Sequence, residues 1–387
     1  AFFDIGDFLH ASGKLFKTKH GEKTVEVKTY GMLAKSLRPL PEKRQGLKDV
    51  EERLRRRYLD LLMNLETREL FRKKSQFWAS VRTFMMRAGF LEVETPVLEA
   101  VPGGADAEPF VTHLNALDID LYLRISLELP LKRLLVGGYE KVFEIGRIFR
   151  NEGIDATHLQ DYTQLEFYWA YQDVEGLMKF VRDLYQTAVR TVRGSLTSIW
   201  GNTKIEWGGT WPQLDYYELF QKHLRLNLKT ASRQELLTAA KKEGLKLERW
   251  VGRGRLIDQL FKKHVLPKLI QPAFLLNPPA DIEPLAKRLP QSPDRVGRVQ
   301  VVGCGMELGK GFSELNDPLD QRARFEGQMK LREKGDREAQ RLDEDFVEAL
   351  EYGMPPAAGF GMSERLFAVL MNTSVRETVF FPLMRPK

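Results

Sequence analysis

The sequence predicts an α+β chain, and three features carry that prediction. Residues 141–169, KVFEIGRIFRNEGIDATHLQDYTQLEFYW, read as two strands joined by a long polar loop. Residues 66–88 read as an amphipathic helix, with Leu70, Phe71, Phe77, Trp78, Val81, Phe84 and Met85 close to a 3.6-residue period. Residues 5–34 read as short strands. At 387 residues the chain can bury a large core and hold more than one domain. The formal net charge of +7 fits a polyanionic partner. A single cysteine, Cys304, excludes an intrachain disulfide framework and suits a reducing cytoplasm. No apolar run reaches membrane-spanning length, so no membrane association is expected. The start at Ala1-Phe2-Phe3, without methionine, suggests a trimmed N-terminus.

The elements follow in order. Gly13-Lys14-Leu15-Phe16 reads as a strand, and residues 24–30 alternate Val25, Val27 and Thr29 against Glu26 and Lys28. Lysines beside Phe16 and Tyr30 suit single-stranded nucleic acid, held by charge and stacking, or equally a plain edge hairpin. Arg53, Arg55, Arg56 and Arg57 fit the solvated face of a linker helix. Gly89 stands where a C-cap belongs after the 66–88 helix, and residues 90–96 read as a strand ended by Pro96.

In the hairpin, Val142, Glu144, Gly146, Ile148 and Arg150 share one face. On the returning strand Gln164, Glu166 and Tyr168 lie opposite Thr163, Leu165, Phe167 and Trp169. The polar row is either a wet outer face or a ligand-facing one. The connection favours the second reading: Arg150-Asn151-Glu152-Gly153 leads into roughly ten residues with His158, too long for a tight turn.

Residues 214–224, 232–244 and 254–263 read as helices in a lysine- and arginine-rich stretch, either an exposed face or one that touches RNA. The glycine-rich run 303–311 fits neither a Walker loop nor a dinucleotide fingerprint, and Glu307 within it would repel phosphate without a metal. The six scattered histidines form no H-E-x-x-H pair, and one cysteine cannot complete a zinc set. Residues 335–351 read as a charged surface helix. Gly359 to Leu366, GFGMSERL, precede an apolar helix reaching about Met371. Ser363 can cap that helix and leave Arg365 in its first turn, where a cation is disfavoured unless an anion is near.

These residues carry a resemblance. Phe149-Arg150-Asn151-Glu152-Gly153, the loop with His158, and Leu165-Glu166-Phe167-Tyr168 resemble motif 2 of the class II aminoacyl-tRNA synthetases, most of all the lysyl enzymes. The 66–96 helix–glycine–strand–proline pattern is similar to motif 1, and 359–366 to motif 3, one residue short of its usual glycine spacing. PGGA at 102–105, LKRL at 131–134 and FSELNDP at 312–318 also resemble lysyl enzymes, and the class I signatures HIGH and KMSKS are absent.

The resemblance implies a catalytic domain at 66–387, an antiparallel sheet flanked by helices, with a helical insertion at about 196–290. Before it, residues 1–45 resemble the end of an OB-type anticodon-binding domain, too short for a whole barrel, and 46–65 a linker helix. It also implies a cytoplasmic homodimer that uses ATP and magnesium to activate L-lysine and charge tRNA(Lys). On the ATP side it implies Arg150 for the α-phosphate, Glu152 for adenine, His158 along the triphosphate, Tyr162 and Arg365 stacking, and Glu307 holding magnesium. For lysine it implies the Gly104 backbone, Glu166 for the α-amino group, Tyr168 lining the pocket, and Glu128 and Glu314 receiving the ε-ammonium. Two carboxylates around one buried cation select lysine over neutral analogues.

Two further residues depart from the family pattern. Gln300 stands where most lysyl enzymes have a glutamate that helps hold magnesium, which predicts weaker metal binding. Lys310 replaces an asparagine near the amino acid and would repel lysine unless it turns away or pairs with Glu307 or Glu314. Two other readings stay open: a paralogue with a different amino acid or acceptor, and a catalytically silent RNA-binding scaffold.

Overall fold

A computed structural model describes residues 3–41, 47, 49–153, 158–245 and 251–386. The chain forms two compact units, Ala1–Glu69 with Phe380–Lys387, and Leu70–Val379.

In the first unit, β1 (Phe8–Lys17) and β2 (Lys23–Ala34) pair antiparallel, a longer hairpin than the sequence suggests. A register shift falls between Ser12 and Gly13, and there a Cβ on Gly13 would lie 1.8 Å from the Glu26 carbonyl. Helices α1 (Val50–Arg55) and α2 (Arg57–Met63) follow, with Asp49 capping the first. The arginines here do not form one solvated face. Arg57, 2% exposed, donates to the fully buried Asp60 at 2.7 Å, and Arg53 donates to the same carboxylate at 3.0 Å. Arg56 does stay outside, paired with Glu52 one turn back, whereas Arg55, paired with Glu51, is half-buried.

Helix α3 (Leu65–Arg87) buries Phe77, Val81 and Met85, and Gly89, at φ +81°, ends it. The strand expected at 90–96 shortens to β3 (Leu91–Glu92), an edge strand parallel to its neighbour. The chain then leaves the sheet, because Thr95 donates its backbone N–H to the Glu144 carboxylate at 3.0 Å. A small three-stranded sheet of β4 (Leu98–Glu99), β5 (Val111–Leu114) and β6 (Ile119–Leu123) precedes α4 (Glu128–Val136). Strands β7 (Lys141–Phe149) and β8 (Asp161–Ala170) form the expected hairpin, and the loop residues 154–157 lie outside the described ones. Helix α5 (Val174–Arg193) follows, capped by Asp173 and closed by Gly194 in the left-handed region.

The 196–290 stretch is not purely helical. It contains β9 (Thr197–Trp200), β10 (Thr203–Glu206), β11 (Gln213–Asp215), α6 (Tyr216–Leu224), α7 (Arg233–Lys242), α8 (Arg253–His264), β12 (Ala273–Leu276) and the start of the β13 (Arg288–Leu289) and β14 (Ser292–Val296) hairpin. The three helices fall where the apolar spacing places them, but β11 and β12 extend the main sheet. Strands β15 (Arg298–Gly303) and β16 (Met306–Ser313), helix α9 (Pro318–Glu333), α10 (Glu344–Glu351), β17 (Ala357–Ser363) and α11 (Arg365–Leu370) complete the unit. The charged helix expected over 335–351 is only its last two turns: α10 starts after the Asp343 cap and buries Phe346, Val347 and Leu350.

The main sheet has the order β11-β12-β15-β16-β17-β8-β7-β3 and is antiparallel except at its two edges. On one side Phe143, Leu165, Phe167, Val299, Val301 and Phe360 pack against α3 and α5. On the other, Val142, Ile148 and Tyr168 join a smaller cluster with α4, α9 and α10. Helices thus cover both faces, and the second face keeps a polar strip.

Candidate active site

That strip is set by strand register, since directly opposed residues share a face. One row runs Gln300, Lys310, Gly361, Glu166, Glu144 across β15, β16, β17, β8 and β7. The next runs Arg298, Phe312, Gly359, Tyr168, Val142. Glu144, Glu166 and Tyr168 are 4%, 3% and 3% exposed, so this is not a wet outer face. In its middle β17 offers two glycines, and a ligand can lie there against bare backbone. A Cβ on Gly359 would stand 2.3 Å from Tyr168 Cε1 and 2.5 Å from Glu314 Oε1.

Glu166 is held from above by α4 and its approach. Its Oε1 accepts from Ser126 Oγ at 2.8 Å, Leu127 N at 2.9 Å and Gln164 Nε2 at 2.7 Å, whereas Oε2 accepts only from Tyr168 OH at 3.1 Å. Burial raises its pKa, and the Leu127, Ser126 and Tyr168 donors oppose that. Oε2 therefore retains capacity for an incoming ammonium. Gly104, at φ +82°, passes so close to this wall that a Cβ would meet Ser126 and Glu128 at 2.9–3.0 Å. Glu144 has no such spare role, because it binds Arg124 at 2.7 Å and the Thr95 hydroxyl at 2.7 Å.

Glu128 and Glu314 do converge, and a group that sequence reasoning gave no role lies between them. Lys132, fully buried, donates to Glu128 Oε1 at 2.5 Å and forms an ion pair with Glu314 Oε2. The i,i+4 spacing of Glu128 and Lys132 on α4 was a visible signal for the first contact. Glu314 Oε1 has no hydrogen-bond partner among the described residues. Burial pushes Glu314 up to about 8 despite Lys132, and raises Glu128 as well. Burial pulls Lys132 down, but the two carboxylates more than reverse it. One ammonium thus serves two acids, and with both ionised the pocket is short of one positive charge.

On the other side Arg150 donates to the Ile125 carbonyl at 3.3 Å, and its guanidinium lies 5.8 Å from the centre of the Tyr162 ring. Glu152 is half-buried, with its carbonyl 3.4 Å from Gln160 Nε2, and His158 is exposed. Arg365 donates to the Glu307 carbonyl at 3.0 Å. Ser363 belongs to β17 rather than capping α11, whose N-cap is Glu364, yet its hydroxyl still accepts the Arg365 N–H at 3.3 Å.

A register shift in the β15–β16 pair, between Val301 and Val302, turns Glu307 onto the face of Gln300 and Lys310. Gln300 donates from Nε2 to Glu307 Oε2, and its Oε1 accepts from Arg298 at 2.8 Å. Arg298 also donates to Glu283 at 2.6 Å, and Lys310 pairs with the other Glu283 oxygen at 3.4 Å. Arg298 and Glu283 were not singled out from sequence; they come from separate segments that only the fold joins. A resident divalent cation needs convergent oxygen donors. Gln300 instead turns its amide nitrogen to Glu307, so that carboxylate gains no second oxygen donor from its expected partner. This donor set does not fit the magnesium site that the resemblance implies.

A largely antiparallel sheet flanked by helices is the architecture that the resemblance to class II synthetases implies. A family model described as tRNA synthetases class II (D, K and N) matches residues 49–385, and the chain belongs to this family. It is similar to the lysine–tRNA ligase of Moorella thermoacetica, 48% identical over 387 residues, which covers 99% of this chain and 79% of the relative. The lysine–tRNA ligase of Pelotomaculum thermopropionicum is 45% identical over 394 residues, 99% of this chain and 77% of the relative. That of Mesomycoplasma hyopneumoniae is 43% identical over 390 residues, 100% of this chain and 79% of the relative.

Proposed function

We propose that this chain is a lysine–tRNA ligase: it joins L-lysine to ATP as lysyl-adenylate and passes lysine to the 3′ end of tRNA(Lys). The observation that carries the reading is the buried pocket in which Glu128 and Glu314 share Lys132 and leave Glu314 Oε1 without a partner. An unpaired buried acid is costly, and a long side chain ending in an ammonium relieves that cost. Tyr168 walls this pocket, and Glu166 Oε2 lies beside its hydroxyl, placed for the α-amino group. Gly104 brings backbone to the same end.

In the activation step a lysine carboxylate oxygen attacks the α-phosphorus, a P–O bond forms, and the bond to pyrophosphate breaks. The nucleophile arrives already ionised, so orientation and charge neutralisation do most of the work. Arg150 is assigned to the α-phosphate, Glu152 to adenine and His158 to the triphosphate, with Tyr162 and Arg365 on the faces of the base. Magnesium enters as part of the nucleotide substrate. The same reading has the enzyme act as a cytoplasmic homodimer; no helix among the described residues is long and apolar enough to cross a membrane.

The test is lysine-dependent exchange of labelled pyrophosphate into ATP, with every other amino acid in parallel. Exchange with lysine alone is expected. Exchange with another amino acid instead, or with none in a folded protein, would overturn the assignment.

A further inference from the structure

Glu283 is already matched by two cations, Arg298 and Lys310, while the Glu307 carboxylate accepts from the Gln300 amide. Arg298, 3% exposed, holds Glu283 and the Gln300 oxygen together. A guanidinium can only donate, so it fixes which end of the Gln300 amide faces which way. The nitrogen end is thereby turned to Glu307, and a cation placed at Glu307 would meet N–H groups rather than a second oxygen.

Lys310 is the member of this network that remains available. Its side chain is 44% exposed while that of Glu283 is 7% exposed, and their contact at 3.4 Å is a loose one. An ammonium has three donors, and this contact occupies one. In the strand row Lys310 stands next to Gly361, which has no side chain to cover it, on the face that also carries Glu166.

We propose that in this chain the Lys310 ammonium, positioned by Glu283, Arg298 and Gln300, takes the place of a protein-held divalent cation at Glu307 and contacts the nucleotide phosphates directly. The inference rests on the ATP-using reading above and deepens it. A fixed lysine is a compact cation well suited to phosphate oxygens. It needs no dehydration of a metal ion and no second carboxylate, and it accounts together for Gln300 and Lys310, two of the departures from the family pattern.

The experiment is a manganese titration, with free Mn²⁺ read by electron paramagnetic resonance in the presence of a non-hydrolysable ATP analogue. The unsubstituted protein is expected to bind only the single ion that accompanies the nucleotide. The double variant Gln300→Glu with Lys310→Asn, checked for folding by circular dichroism, is expected to bind at least one more. Should that variant not fold, Gln300→Glu alone gives the same comparison. In EDTA, Lys310→Asn is expected to weaken the analogue by roughly tenfold or more, the effect of losing a charge-assisted contact. Two or more ions per nucleotide on the unsubstituted protein would overturn the proposal, as would unchanged metal-free affinity in Lys310→Asn. Failure of the unsubstituted protein to bind the analogue under any condition would instead overturn the ATP-using reading itself.

Discussion

Lysine binding should release a proton, and the amount follows from Glu314. This carboxyl is pushed up to about 8 by burial, against the opposing pull of Lys132 and with Glu128 and Glu166 adding to the rise. At pH 7 a group titrating there is about nine-tenths protonated. A second ammonium in the pocket favours the ionised form, so binding must expel that proton. The sign follows directly: the acid is raised in the free protein, so affinity for lysine weakens as pH falls below 8. Between pH 7 and pH 6 the weakening should approach about tenfold, and it should flatten above 8. Calorimetry in buffers of different ionisation enthalpy reads the proton directly, with more released per site at pH 7 than at pH 8. Lysine stays doubly cationic at pH 6–7, so its own titration does not intrude there. Glu314→Gln should reduce both the buffer dependence and the pH dependence, leaving what Glu128 and Glu166, also raised by burial, contribute, and should weaken binding. Buffer-independent heats with a flat affinity from pH 6 to 8 would refute the claim that lysine binding ionises Glu314.

Two further substitutions test the frame around the pocket. Gly359→Ala places a Cβ 2.3 Å from Tyr168 Cε1 and 2.5 Å from Glu314 Oε1, so these groups must shift. Thermal unfolding should show a loss of about 1–3 kcal/mol, and calorimetry a larger loss of lysine binding than of ATP-analogue binding; equal losses would contradict the placement. In the first unit, Arg57→Ala strips a buried Asp60 of one of its two guanidinium partners. Denaturant unfolding should reveal a cost of about 3–5 kcal/mol if Asp60 stays ionised, and less if Arg53 compensates. A change under about 0.5 kcal/mol would return Arg57 to the solvated role its sequence context suggests.

The hairpin 141–169 was legible because a two-residue period is local information: which residues of β7 and β8 share a face needs only the sequence. Whether that face is wet is not local. It depends on α4 and the residues leading into it, which bring Ser126 and Leu127 onto Glu166 and set Lys132 between Glu128 and Glu314. The shift in the β15–β16 pair, which puts Glu307 and Lys310 on one face despite their odd spacing, has no period to betray it. Strand 90–96 was overextended because Thr95 spends its N–H on Glu144, a contact forty-nine residues away in sequence. Arg57 looked solvated for the same kind of reason, its neighbours in sequence being charged while its partner Asp60 is buried. Residue types and faces were readable; the pairing of distant charges was not.

That pairing answers the objection that Lys310 should repel the substrate. The acidic half of the site contains Glu128, Glu166 and Glu314 against Lys132, and the other half contains Glu283 and Glu307 against Arg298, Lys310 and Arg365. The first half is deficient in positive charge and the second carries an excess. Lys310 and Glu314 are four residues apart along one extended segment, roughly 13 Å by strand rise, so the added cation falls in the half that faces phosphate. There it is paired by Glu283 rather than by the acids expected from sequence. A zwitterion with a cationic tail and a polyanion can then lie end to end over Gly359 and Gly361, each against the charge it lacks. Moving the positive charge one row, as in Phe312→Lys, would set it beside Gly359 and Tyr168, in the lysine half. The difference between these two positions is what makes Lys310 compatible with a lysine substrate.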